Sequence, residues 1–216
     1  MKAVSADRSA PVNRLDRRKA RTRQALVDAA VRLIADGRGE RASIQEITEE
    51  ADIGFGSFYN HFASKEELFE TASQEVLERW AETIDTACAE IEDPAEVFAT
   101  SLRVSGRLAW THPDMAGFIT GAGLALLDAP RGLAPRALRD IRAGQAAGRF
   151  TVPNAEIALS AVAGGLLGLL RQHERDPDRV TRGAVDELAE GCLRLPGVPV
   201  VQARRLARLP LRDPAW

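Results

Sequence analysis

Apolar side chains recur along this chain at the three- and four-residue spacing of a helix, and the elements they predict make an all-α protein. Leu26, Ala29, Ala30, Leu33 and Ile34 give a first helix over residues 17–36, closed by Gly37, Arg38 and Gly39. Ser43 and Glu46 then form a reciprocal cap, the hydroxyl accepting from the Glu46 amide and the carboxylate reaching back, and open a short helix that buries Ile44, Ile47 and Ala51. Asp52, Ile53 and Gly54 interrupt the pattern, so the chain turns there while Ile53 plugs the gap between helices. Phe58 and Phe62 give one buried face to a second short helix over residues 54–61. Ser64 and Glu67 repeat the cap and start a long helix to about residue 91, lined on one side by Phe69, Ala72, Val76, Trp80, Ile84, Ala87 and Ile91. At 1.5 Å per residue that helix reaches roughly 40 Å, enough to run from one domain into a second.

Asp93, Pro94 and Glu96 restart a helix with a cap, a first-turn proline and an acid, and it runs through Phe98, Leu102 and Leu108 to stop before Pro113. The apolar piece at 115–127 is interrupted by Gly117, Gly121 and Gly123, each costing a helix about 1 kcal/mol, and a helix loosened in this way is suited to move when something binds. Helices follow over 133–147, 154–173 and 178–195, with an irregular turn at 148–152 and an irregular tail after Pro196 that packs through Leu206 and Leu209. Ala158, Ala161, Val162, Gly165 and Leu169 give the 154–173 helix a face of small residues that another helix can approach closely, and Val185, Leu188 and Cys192 offer a matching stripe on the next.

Composition narrows the class. With 216 residues, 45% hydrophobic and 28% charged, the chain is an ordinary globular one with a proper core. It has no apolar run of membrane-spanning length and no apolar signal core near its start, so a cytoplasmic location is expected. Cys88 and Cys192 read as small buried hydrophobes. The net charge of −2 conceals a polarised molecule: residues 1–23 hold eight basic side chains against two acids, and residues 66–100 hold eleven acids against Arg79. The acidic side of the long helix reads as a solvated surface. The basic arm, residues 1–16, reads as a solvated tail, but Arg17, Arg18, Arg21 and Arg23 lead into the first helix and are placed to meet phosphates or a minor groove.

The segment at 54–61 is too short and too poor in helix formers to persist alone, and the side turned away from Phe58 and Phe62 carries the chemistry of a DNA contact. Gly54 and Gly56 let the backbone approach a phosphate. Ser57, Tyr59, Asn60 and His61 can donate to phosphate oxygens or base edges, Lys65 adds a charge, and Phe55 can touch a thymine methyl.

In residues 43–69, SIQEITEEADIGFGSFYNHFASKEELF, and in the preceding QALVDAAVRLIADGRGERAS, the chain resembles the tetracycline-repressor-like family of transcriptional regulators. The resemblance implies a helix-turn-helix domain over 17–80 with its motif at 43–62, and a helical ligand-binding and dimerisation domain over 81–195 that leaves 196–216 as a tail. It implies that Ser43 caps its helix against the DNA backbone, that residues 54–57 and Asn60 face the groove, and that Tyr59, His61 and Lys65 hold phosphates. It implies a homodimer on a palindromic double-stranded operator, joined through the small-residue faces named above. A small apolar or aromatic effector would lie among Trp80, Phe98, Trp110, Met115, Phe118 and Ile119, with Arg103 or Arg107 to orient a polar group. Aromatics at helical spacing usually pack, so each of these side chains also suits the core. The alternatives are an activator of the same build and a ligand-independent architectural DNA binder. The sequence shows no nucleophile, base and acid set, no phosphate-cradling loop and no histidines at metal-ligand spacing, so neither an enzyme nor a cofactor is expected.

Overall fold

A computed structural model describes residues 14–211. Among them the chain is all helix: α1 (Arg14–Ala35), α2 (Ile44–Glu50), α3 (Lys65–Cys88), α4 (Pro94–Thr111), α5 (Pro113–Ala122), α6 (Leu133–Ala146), α7 (Ala155–Arg175), α8 (Arg182–Arg194) and α9 (Val200–Leu206), with 3-10 segments at Gly39–Arg41, Phe55–Asn60 and Gly123–Asp128. The part of the basic arm at 1–13 lies outside the described residues, whereas 14–16 form the first turn of α1. No described helix is long and apolar enough to cross a membrane.

Residues 14–72 organise around one apolar cluster, in which Leu26, Val27, Ala30 and Leu33 of α1 meet Ile47, Phe58, Phe62, Leu68 and Ala72. The α2 cap forms as expected: the Ser43 hydroxyl accepts from the Glu46 amide at 3.2 Å, and the Ser43 amide donates to the Glu46 carboxylate at 2.9 Å. At the start of α3 the Ser64 hydroxyl accepts from the Glu67 amide, but the returning carboxylate takes the Ala63 amide, one residue earlier. Asp52 carries the turn with φ 54°, and Ile53 packs onto the cluster.

Helix α3 belongs to two cores. Leu68 and Ala72 lie in the first, and Val76, Leu77, Trp80, Ile84 and Cys88 lie in a second with α4, α5 and α7. Its buried stripe is therefore wider than the one expected, and Phe69 stands at its edge, half-buried. The acidic side is not simply solvated either. Arg136 of α6 donates to Glu78 and to Asp85, both at 2.7 Å, and Arg139 donates to Asp85 at 2.8 Å, so α6 is clasped to α3 by charge.

Asp93 caps α4 through the Ala95 amide and takes both Nε and Nη2 of Arg149, at 2.8 and 2.9 Å. Helices α4 and α8 cross closely because Gly106 has no side chain: a Cβ there would sit 2.6 Å from Cγ1 of Val185. Beside that crossing Arg103, its side chain 4% exposed, donates to Asp186 of α8 at 2.7 Å and to the Leu209 carbonyl at 2.8 Å. That last bond helps explain a departure from the expected irregular tail. Residues 200–206 form α9, whose Ala203 and Leu206 are buried in a third cluster with Phe98, Phe150 and Leu193, and the prolines at 196 and 199 precede the helix instead of preventing it.

Candidate nucleic-acid interface and cavity

The 54–61 segment is not the α-helix that the pattern suggested. Phe55–Asn60 is a 3-10 helix, rising about 2 Å per residue, with Gly54 at its start and His61 at its end. Phe58 is fully buried, whereas Tyr59 is 59% and Phe55 53% exposed, their rings edge to face at 6.3 Å. Asn60 and Gly56 are exposed beside them, and Ser57 is half-buried. Neither Gly54 nor Gly56 has a backbone angle that demands glycine, and a Cβ on either would meet nothing within 4 Å. The fold of this chain does not need them as glycines; what they provide is a bare backbone next to the exposed polar side chains.

The flanking charges divide into two groups. Arg17, Arg18 and Arg21 are exposed along the first turns of α1, whereas Arg23 lies over the Phe62 ring at 4.9 Å and within 4.0 Å of Glu75, which fastens α1 to the motif. Lys65 is half-buried, and its ammonium donates to the Ala42 carbonyl at 3.3 Å, joining the start of α3 to the residue before the α2 cap. His61 is half-buried with its Nδ1 enclosed; burial, then the charges of Lys19 and Arg23, hold its imidazole below the usual histidine range. The Ser43 hydroxyl is engaged with Glu46 as both donor and acceptor.

Between α3, α4, α5, α6 and α7 lies a cavity of about 120 Å³. Ile84, Phe98, Leu102, Ile119, Leu126, Leu127, Leu133, Val162 and Leu166 line it, and its polar groups gather where α3, α4 and α6 meet: Asp85, Ser101, Ser105, Arg136 and Asp140. This is somewhat below the roughly 150 Å³ of an apolar cavity that holds benzene, so one ring is the most it admits as it stands. Burial pushes the Asp140 carboxyl up, against the hydrogen bond from Arg139. Burial pushes Asp85 up as well, but bonds from Arg139 and Arg136 outweigh it and hold that carboxyl below its ordinary range. Two carboxylates of unequal basicity and a guanidinium at one end of an apolar slot can accept from, and donate to, the hydroxyls of a ring.

Of the pocket residues expected from the sequence, Phe98 and Ile119 line this cavity. Trp80 is buried in the core against the His112 ring, Trp110 lies on His173 at 4.3 Å between centroids, and Met115 and Phe118 pack in the same cluster. Arg103 and Arg107 both turn to Asp186. Asp85, Arg136 and Asp140 were missed because their pairing joins residues about fifty apart; the one local signal was a helix carrying Arg136, Arg139 and Asp140 within two turns, opposite a very acidic neighbour. The expected dimer face also needs correction. Ala158, Val162, Leu169, Val185 and Cys192 are buried within the subunit, and Gly165 lies against Leu188, whose Cδ1 would be 3.0 Å from a Cβ placed there. The exposed side of α7 instead carries Ala161, Gly164, Gly168 and Ile157, the last 67% exposed.

Known families match these two regions separately. Residues 26–72 match the family described as bacterial regulatory proteins, tetR family, and residues 93–209 match the tetracyclin repressor-like C-terminal domain. The HTH-type transcriptional regulator YxbF of Bacillus subtilis is 36% identical over 93 residues, 43% of this chain. The HTH-type transcriptional repressor KstR2 of Mycolicibacterium smegmatis is 30% identical over 83 residues, 37% of this chain. The matches span 21% and 40% of the length of these two curated relatives. Among solved structures, RolR in complex with resorcinol superposes with a TM-score of 0.74 at 33% identity, over 92% of this chain and 99% of that one. RolR without ligand gives the same TM-score at 32% identity, over 89% of this chain and all of that one. The chain belongs to the tetracycline-repressor-like family of transcriptional regulators.

Proposed function

We propose that the protein is a homodimeric repressor that binds a palindromic operator through the 55–60 segment and leaves it when a small hydroxylated aromatic molecule of the resorcinol type fills the cavity. One observation carries the DNA reading: two glycines that the chain's own conformation and packing do not require leave bare backbone among exposed Tyr59 and Asn60. In this reading Tyr59, Arg17, Arg18 and Arg21 meet phosphates, Ser57 and Asn60 meet base edges, and His61 takes up a proton as phosphates offset Lys19 and Arg23. Lys65 acts mainly by holding the motif together.

The effector reading is supported by a cavity sized for one ring, by carboxylates and a guanidinium at one end, and by the likeness to RolR, whose structure holds resorcinol. Ring hydroxyls would compete with Arg136 and Arg139 for Asp85 and Asp140, changing the clasp between α6 and α3 and so the placement of the reading segment. Dimerisation is assigned to the outward faces of α7 and α8, around Ile157, Gly164 and Gly168. Selection from a random duplex pool tests the core of this reading. A two-fold symmetric sequence should emerge, and recovery of unenriched DNA at low ionic strength would favour the architectural alternative.

A further inference from the structure

We propose that residues 123–132 form the door of the cavity, a flap hinged at two glycines whose far end bears on α3. The inference rests on the reading of that cavity as the effector site.

Gly123 (φ 58°, ψ −141°) and Gly132 (φ 93°, ψ −139°) bound the segment, both in backbone territory that is essentially glycine's alone. Between them the chain runs as the 3-10 turn Gly123–Asp128, which contains no buried residue. Leu126 and Leu127 form part of the cavity wall, while Leu124 is exposed. The helices on either side are anchored, α5 by Phe118 and Ile119 and α6 by Ala134 and Ile141. Leu126 and Leu127, both half-buried, are the side chains by which it rests on the two core clusters, so local opening lifts this part of the wall at the cost of those contacts while the anchored helices stay packed.

The two hinges differ. A Cβ at Gly123 would meet nothing within 4 Å, whereas one at Gly132 would lie 2.9 Å from Cβ of Leu77 on α3. Next to it Arg131 donates to Gln74 of α3 at 3.1 Å, and the Gly132 carbonyl accepts from Arg136 at 3.3 Å while the same guanidinium grips Glu78. The flap thus swings about a free end at 123 and presses a fixed end against the helix that reaches the reading segment. A ring in the cavity gives Leu126 and Leu127 an apolar partner and favours the closed position, so occupancy is felt on α3 at Gln74 and Leu77 as well as through Asp85.

Hydrogen exchange on the full chain without ligand, followed by stopped-flow kinetics with resorcinol as the probe, tests this. Amides of 123–132 should exchange at least about tenfold faster than the interiors of α5 and α6, and saturating resorcinol should slow them. Gly123→Ala penalises the closed backbone and should raise resorcinol association and dissociation rates together, by roughly tenfold, leaving Kd within about twofold. Gly148→Ala, at another positive-φ position with open space in the turn after α6, should change neither rate and controls for general loosening. Exchange as slow as in the flanking helices, or unchanged rates in Gly123→Ala, would overturn the flap. If resorcinol gives no binding heat, the effector class falls, and the ligand-free exchange pattern still decides the flap.

Discussion

Tyr59 and Asn60 stand next to each other on the 3-10 turn and are assigned different work, one to the backbone of a duplex and the other to its bases. Tyr59→Ala is expected to weaken binding to every sequence without changing the ranking of duplexes, whereas Asn60→Ala should relax preference at one operator position, at about 1–3 kcal/mol of discrimination. Anisotropy titrations against a selected duplex and its single-base variants separate the two; identical profiles would contradict the division. Asp93 allows a pH test. The Arg149 guanidinium, more than the Ala95 amide, holds its carboxyl below the usual carboxylate range, so the stability it contributes is complete above that range and is lost as pH falls through the lowered value. Asp93→Asn should therefore melt lower than the parent at pH 7, with the gap closing as the pH is taken down through and below the ordinary carboxylate range. A melting gap that stays constant across this range would show that the pair does not titrate as its geometry requires.

At the scale of elements, what could be read from the sequence was local. Caps at Ser43, Ser64 and Asp93 announce their helices because the capping partner lies within three residues, and all three side chains accept a first-turn amide in the structure. The winding of the reading segment was not legible, since Phe58 and Phe62 face inward whether the turn between them is α or 3-10. Nor was the polar end of the cavity, which depends on α6 lying against α3, or α9, whose Ala203 and Leu206 are buried among residues of α4 and α8, the former about a hundred positions away. The α7 stripe was found, but its small residues face two ways: Gly165 meets Leu188 inside the subunit and Gly164 and Gly168 face out. Arg103→Ala should cost about 3 kcal/mol, because it leaves Asp186 without its closest cation at a mostly buried crossing. Limited proteolysis should then cut the tail near α9 before the rest of the chain; a tail as resistant as the parent's would show that its packing alone suffices.

For the whole molecule, the arrangement is a helix-turn-helix core and a cavity-bearing core joined by α3, which buries residues in both, with Val31 and Ile34 of α1 packed against both as well and a clasp from α6 midway along α3. Under the proposed function, the outward face of α7 joins two such units on a two-fold symmetric operator. Ile157→Glu should convert a dimer to a monomer in sedimentation while thermal melting of the helices stays close to the parent's, since Ile157 is exposed in the single chain. A dimer that survives this change and also Gly168→Arg would put the junction elsewhere. The most direct test of the central claim, that occupancy of the cavity governs the hold on DNA, is resorcinol titrated into the protein bound to its selected operator, followed by anisotropy, for the parent and for Asp140→Asn. The account predicts saturable release from the parent, and from Asp140→Asn unchanged operator affinity with release abolished or shifted to much higher resorcinol. Equal release from both proteins, or release from neither while calorimetry shows the ring bound, would contradict it.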